Sequence, residues 1–239
     1  MTVKSNLPKT KAIVLTDRDR EILKFIGQGG LASLGQLHLK FWLPAKERTA
    51  QARLGELIRA GYIASQQVHV REAGEQVFTL TRKGAAEFND LERRSFIIGL
   101  PAHHELKQQL VGQDLRLAIE KELAERGLKL TDWQNERQLR SNQRRQEEHT
   151  RKAKGWVKAI NSEDIPDARA IIQSAEGVSG ELDIEIDGQY FGKMLSEKIK
   201  SLAKSGRPML WATSATRVGR IQTELGRIGA TNIQVVAVD

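Results

Sequence analysis

The sequence contains no cysteine among its 239 residues, and aromatic side chains make up only 5% of it. The absence of cysteine excludes disulfide bonds and thiolate metal sites, and it fits a reducing compartment. No apolar run approaches the roughly 20 residues that a membrane-spanning helix needs, and the N-terminal residues lack the apolar core of a signal peptide. We therefore expect a cytoplasmic protein with no membrane partner.

Positive charge is abundant, with a net charge of +8 and a sequence pI of about 9.8. Residues 1–90 hold 14 Lys/Arg against 9 Asp/Glu, and residues 91–162 hold 15 against 10. Residues 163–239 reverse the balance, with 9 against 11. The basic residues 1–162 favour a polyanionic partner. The excess of acidic residues in the last third indicates a different kind of site there.

Three helices and a hairpin are expected between residues 16 and 90. The first helix begins at Thr16 or Asp17 and ends in a glycine cluster, and the second ends before Pro44. Alternation beyond Ile63 and a turn at residues 70–74 predict a hairpin, after which Thr81 caps a short helix. This order resembles a winged helix, which implies binding to double-stranded DNA. A short α+β cap on an enzyme could imitate it.

The third helix, residues 48–61, has two different faces. Ala50, Leu54 and Leu57 lie on one side when residues are stepped at about 100° each. The opposite side carries arginines, a threonine and a small alanine, which suit contacts with phosphates and base edges. An ordinary amphipathic helix with a solvated face is the alternative. We expect DNA contacts from this helix, the hairpin and a later basic segment, through Arg48, Thr49, Ala52, Arg53, Arg59, His69, Arg71, Arg144, Arg145, Lys152 and Lys154.

The later basic segment runs from Arg137 to Lys158 and holds eight Lys/Arg against two Glu. Its polar stretch from Ser141 onward interrupts the hydrophobic pattern, so we expect a long loop or a mobile hairpin. Such a segment is either a solvated loop or a second surface that contacts phosphates.

Beyond residue 103 a long amphipathic helix is followed by strands that alternate with helices, which predicts a mixed sheet with helices on its faces. The expected division is a flexible basic arm (1–15), a winged-helix domain (16–90), a linker (91–102) and an α/β domain (103–239). The predicted fold class is therefore α+β, with an N-terminal winged helix-turn-helix and a C-terminal α/β domain.

Acidic residues lie on predicted strands in the last third of the sequence. Glu185 and Asp187 alternate along one strand, and Asp167 begins a neighbouring one, so the three could bind Mg²⁺ or Mn²⁺ through oxygen ligands. A charged strand edge that discourages aggregation is the alternative. We name Glu136, Asp167, Glu185 and Lys198 as candidate catalytic residues, and Asp167, Glu185 and Asp187 as candidate metal ligands.

This arrangement resembles the PD-(D/E)-x-K nuclease superfamily, with one departure. An acid, Asp187, stands where that superfamily has lysine. Lys193 or Lys198 could supply the missing charge; without it, a degenerate, non-catalytic nuclease-like domain is expected.

The combined motifs resemble the replication-relaxation family of plasmids and other mobile elements, at His104, Trp133, Glu136, Pro166, Asp167, Ala168, Glu185 and Asp187. The resemblance implies a sequence-specific DNA-binding protein that acts in transcriptional regulation or as a replication or transfer accessory factor. A relaxase or replication protein is the implied partner, and a homodimer is compatible with this role. DNA binding itself requires no cofactor. The alternatives are a metal-dependent endonuclease targeted by its winged helix and an operator-binding, antitoxin-like interaction protein.

Overall fold

The computed structural model describes residues 13–70, 74–154 and 165–238. The chain divides into two compact units, residues 1–107 and 108–239. Within the described ranges, no helix has both the length and the apolar character needed to cross a membrane.

Three helices open the first unit: α1 (Asp17–Gly29), α2 (Leu34–Phe41) and α3 (Glu47–Arg59). The first two begin with capping boxes, in which Thr16 and Ser33 accept hydrogen bonds from backbone N–H groups three residues later. The predicted start of α1 and the predicted ends of α1 in the glycine cluster and of α2 before Pro44 are therefore confirmed.

A three-stranded antiparallel sheet completes the core of this unit, with β1 (Ala32–Ser33), β2 (Ile63–Val68) and β3 (Glu75–Leu80) in the order β1-β3-β2. The hairpin of β2 and β3 is confirmed. The two-residue strand β1 was not predicted from the sequence, because it is too short to show alternation and is defined only by its pairing with Val77 and Phe78.

Two short helices follow, α4 (Arg82–Ala85) and α5 (Asp90–Ser95). Phe96 is 1% exposed, and its ring lies so close to Gly27 of α1 that an added Cβ there would come within 2.8 Å of it. The Ile97 N–H also donates to the Gly27 carbonyl. Much of the segment expected to be a linker, residues 91–102, is thus packed into the first unit.

The second unit is built on a five-stranded mixed sheet in the order β4-β5-β6-β7-β8. Its strands are β4 (Lys129–Asn135), β5 (Ala168–Gln173), β6 (Ser179–Ile186), β7 (Met209–Thr213) and β8 (Ile233–Ala237). The first three are antiparallel neighbours, and the last three run parallel. The mixed sheet predicted from the alternating elements is confirmed.

Four helices accompany this sheet: α6 (His103–Glu125), α7 (Glu136–Lys154), α8 (Gly192–Ala203) and α9 (Ala215–Ile228). Residues of α6 pack with Ile184 and Ala212 on one face of the sheet, whereas α8 and α9 pack with Met209 and Trp211 on the other. Alternation along β6 therefore directs Glu185 away from the face that carries Ile184.

The expectation of a loop or hairpin from Ser141 onward was wrong up to Lys154, because this part of the segment belongs to helix α7. Its Arg, Gln and Glu residues are good helix formers, and neither glycine nor proline interrupts it. Hydrogen bonds and ion pairs four residues apart support it, at Glu136–Arg140, Gln143–Glu147 and Glu148–Lys152. Residues 155–158 lie outside the described residues.

Candidate functional site

The outer face of α3 presents four of the five DNA contacts expected on this helix. Arg48, Thr49, Ala52 and Arg59 are all exposed. The opposite face is anchored in the core by Ala50, Leu54 and Leu57, each at most 1% exposed. This places two arginines and a short polar side chain on one accessible helix surface.

Arg53 lies on α3 as well, but the structure assigns it an internal partner. Its guanidinium donates two hydrogen bonds to the Asp19 carboxylate of α1, at 3.0 Å from Nε and 2.5 Å from Nη2. It also pairs with Glu56 and donates to the Val14 carbonyl. The expectation that Arg53 reads DNA is corrected, because these contacts commit its guanidinium to holding α3 against α1.

The hairpin expected to form the wing is only partly described. His69 is exposed directly after β2. Arg71 lies outside the described residues, and so do residues 1–12 of the expected basic arm.

Helix α7 carries a second candidate surface. With about 100° between successive residues, six cations of α7 fall within about 140° of the helix circumference. We call them the basic stripe: Arg137, Arg140, Arg144, Arg145, Arg151 and Lys152. Buried Leu139 lies on the opposite side. Lys154 ends the helix, and its side chain lies outside the described part of the chain.

The structure brings Asp167, Glu185 and Lys198 together. Glu185 is fully buried on β6, and Lys198 Nζ, reaching in from α8, lies 3.1 Å from its Oε1. Asp167 immediately precedes β5, which pairs with β6. Its carboxylate accepts hydrogen bonds from the Ile186 N–H at 2.7 Å and from Gln108 at 2.8 Å. We call these three residues the carboxylate centre.

Burial and like charge raise the pKa values of both acids in this centre. Desolvation raises the pKa of Asp167 to about 6, against the opposing effects of the Ile186 N–H and of Lys198. Burial, reinforced by the charge of Asp167, holds the pKa of Glu185 well above its ordinary value. Nearby Tyr190 has its pKa raised to about 12 by burial and by the charge of Glu185. Such shifts at clustered groups are typical of functional sites.

Glu136 stands at the margin of this centre, as the first residue of α7. Its N–H donates to the Asp167 carbonyl at 2.8 Å, and its charge contributes to the raised pKa values of Asp167 and Glu185. Its carboxylate accepts a hydrogen bond from Arg140 at 3.0 Å. Glu136 thus lies beside the three other residues named as catalytic candidates, and their catalytic role stays a prediction.

Asp187 does not join the carboxylate centre. Its Oδ2 accepts hydrogen bonds from Arg217 Nε at 2.5 Å and from the Thr213 hydroxyl at 2.7 Å. Its Oδ1 accepts from Arg217 and from the Gln189 N–H. The expectation that Asp187 is a metal ligand is corrected, because an arginine already neutralises its charge and occupies both oxygens.

The donors that would hold a divalent cation are thus Asp167 and Glu185. Among the described residues, no three His, Cys, Asp or Glu side chains are grouped in a way that could hold a metal ion. Mg²⁺, however, is usually held by one or two protein carboxylates together with water or substrate oxygens. The buried Glu185 Oε2 accepts no hydrogen bond from any described residue, which leaves one oxygen available to a cation. The residues present fit a two-carboxylate site.

Several residues near the centre were not identified from the sequence. Gln108 and Arg217 belong to helices, and neither was named as a candidate from the sequence. Tyr190 precedes α8, and its ring centroid lies 5.9 Å from Lys198 Nζ. Of the resemblance positions, Trp133 is 3% exposed and packs in the core, and His104 is exposed at the start of α6.

Comparison of the chain with protein-family models gives no match, and comparison with curated proteins gives none either.

Proposed function

We propose that the protein binds double-stranded DNA in a sequence-specific manner, with the first unit acting as a winged helix. The observation that carries this proposal is α3, which packs through its apolar face and exposes Arg48, Thr49, Ala52 and Arg59 on the other. Arginine can contact two acceptors of a guanine edge at once, and a small alanine permits close approach. The antiparallel hairpin that follows α3 supports the same proposal, because it occupies the place of a wing.

Within this proposal the protein is a regulator or a replication or transfer accessory factor of a mobile element. The support is the resemblance to the replication-relaxation family, and a relaxase or replication protein is the proposed protein partner. The basic stripe of α7 is proposed to add contacts with phosphates, which strengthen binding without reading sequence.

The test begins by mapping the sites that the protein occupies in cells and measuring affinity for the recovered duplex by fluorescence anisotropy. Arg48→Ala and Arg59→Ala should each cost about 1–3 kcal/mol if the arginine contacts a base, with a smaller effect on a scrambled duplex. Arg94→Ala, an exposed arginine of α5, is the matched control and should bind as wild type does. Wild-type affinity in the Arg48→Ala, Arg59→Ala double variant would contradict the proposed surface.

A second function, metal-dependent cleavage of DNA, is favoured by the ion pair of Lys198 with Glu185 beside Asp167. The second unit would then have a core that resembles PD-(D/E)-x-K nucleases, with Lys198 supplying the charge that Asp187 does not. Asp167 and Glu185 would hold Mg²⁺ or Mn²⁺, and a bound cation polarises the phosphate and lowers the pKa of water. Lys198 would stabilise negative charge on the phosphate in the transition state.

Cleavage of supercoiled plasmid in Mn²⁺ tests this second function. On this second function, the wild type should nick the plasmid, and Glu185→Gln and Lys198→Met should abolish nicking while both variants still bind duplex DNA. Lys200→Met is the control, because Lys200 is exposed on the same helix. Mn²⁺ should also raise the melting temperature of the wild type and not of Glu185→Gln, since a ligand stabilises the state that binds it. A wild type that neither cuts nor is stabilised would leave the carboxylate centre without a catalytic role.

A further inference from the structure

The loop between β6 and α8 presents an apolar surface to solvent. Phe191, the N-cap of α8, is 54% exposed, and Met194 in the first turn is 64% exposed. Two arginines of α9 lie over the ring, with the Cζ of Arg217 at 4.5 Å and that of Arg220 at 4.8 Å from its centroid. An exposed ring beside guanidinium groups combines apolar and positively charged character in one place.

The two arginines differ in what else they contact. Arg217 is held by Asp187, and it also donates to the Tyr190 carbonyl at 2.7 Å. Arg220 is exposed, and no carboxylate in the described part of the chain pairs with it. The charge of Arg220 is therefore available to an anion that approaches Phe191.

Hydrogen bonds hold the backbone of the loop between β6 and α8 in place. Asp187 accepts a hydrogen bond from the Gln189 N–H at 3.0 Å, and Arg217 holds the next carbonyl along the chain. Gln189 has a φ of 61°, a left-handed conformation that is rare for a residue with a side chain and that concentrates at functional sites. Phe191 is thus presented by a constrained backbone.

This surface adjoins the carboxylate centre. Tyr190, the residue before Phe191, lies with its ring near Lys198, and Lys198 pairs with Glu185. Phe191 therefore follows directly, along the chain, the residue whose ring lies beside the centre.

We propose that Phe191, together with Arg217 and Arg220, forms a stacking subsite for an unpaired nucleobase next to the carboxylate centre. The preferred DNA is then a duplex with a single-stranded segment, because bases stacked within a duplex do not expose a face to the ring. Aromatic rings flanked by cations are the recurring means of binding unpaired bases. This inference rests on the proposed DNA-binding function and adds the class of DNA that the second unit prefers.

Fluorescence anisotropy with the full-length protein tests the subsite on a blunt duplex and on the same duplex with a single-stranded tail. Phe191→Ala should lower affinity for the tailed duplex by about tenfold, the loss expected for one stacked base. Affinity for the blunt duplex should not change. Phe191→Leu, which keeps apolar bulk without a ring, should lose affinity as Phe191→Ala does, whereas Phe191→Trp should retain it. Circular dichroism confirms that each variant is folded.

Val178→Ala is the matched control, because Val178 is 70% exposed in the turn between β5 and β6. Equal affinity of wild type and Phe191→Ala for the tailed duplex, or an equal loss on both duplexes, would overturn the subsite. A change of molecular mass in light scattering without any change in DNA binding would instead identify a protein contact, and would overturn it too. If the wild type binds the blunt duplex through Arg48, the proposed function stands even where the subsite fails. If the wild type binds neither duplex, both the stacking subsite and the proposed DNA-binding function are contradicted.

Discussion

The buried carboxylate of Asp19 depends on a single arginine from another helix. Asp19 is 1% exposed, and Arg53 donates two hydrogen bonds to it, while Thr16 donates two more. Burial alone would raise the pKa of Asp19. The hydrogen bonds from Arg53 and Thr16 outweigh burial and hold the pKa below its ordinary value of 3.8. Arg53 is therefore a positioning residue for α3.

Removal of Arg53 should destabilise the first unit. Arg53→Ala leaves a buried carboxylate without its cation, and we expect a loss of about 2–3 kcal/mol in the free energy of unfolding at pH 7. A carboxylate whose pKa is lowered in the folded state stabilises that state at pH values above its ordinary pKa. This stabilisation is lost as the pH falls and the carboxylate is protonated. The difference between wild type and variant should thus shrink as the pH falls below 3.8. Urea titrations at a series of pH values measure this.

Arg48→Ala is the natural comparison, because Arg48 is an exposed arginine of the same helix. Its effect on unfolding should stay within about 0.5 kcal/mol, as for other surface changes. Equal stability of Arg53→Ala and Arg48→Ala would show that the Asp19 pair contributes nothing, and would return Arg53 to the set of DNA contacts.

At the scale of elements, α7 shows how a polar segment can form a regular helix. Its composition offers few apolar side chains to a core, and Leu139 is the buried hydrophobic among its described residues. Helix propensity and ion pairs four residues apart take the place of packing. The consequence is a basic stripe along one side of a regular helix, and its first member, Arg137, follows Glu136 at the margin of the carboxylate centre.

Neutralisation of part of this stripe tests whether it meets phosphates. The Arg144→Gln, Arg145→Gln, Lys152→Gln variant should reduce the slope of log affinity against log salt by up to about 3, since each phosphate contact contributes about 0.9. Sequence preference should not change. Anisotropy titrations at several salt concentrations give the slope.

The control neutralises three other exposed cations of the second unit, Lys121, Arg126 and Lys129. It removes the same formal charge, so it separates contact with phosphates from a general change in net charge. If the two triple variants have the same slope, the basic stripe is only a solvated helix face.

At the scale of the whole molecule, positive and negative charge are distributed unevenly along the chain. The N-terminal 90 residues carry an excess of five positive charges, and residues 91–162 carry the same excess. The acids of the last third include the carboxylate centre, where burial and mutual repulsion raise the pKa values of Asp167 and Glu185. On the proposed function, DNA is attracted by the cations, and a divalent cation would relieve the repulsion between the centre and a phosphate.

The sequence by itself determined most of the order of helices and strands, though not β1, α5 or α7, because hydrophobic periodicity, caps and turn residues act over a few neighbouring positions. It also singled out Lys198 as one of two lysines able to supply charge to Glu185. Helix α7 could not be predicted from hydrophobic periodicity, because its stability does not come from an apolar face.

Only the tertiary structure decided which charged residues have internal partners. Arg48 and Arg53 share one face of α3, and the difference between them comes from Asp19, 34 residues away from Arg53. Asp187 and Glu185 alternate along one stretch of chain, yet Arg217 neutralises the first and Lys198 faces the second. Periodicity specifies the direction of a side chain, whereas its partner depends on which distant element folds against it.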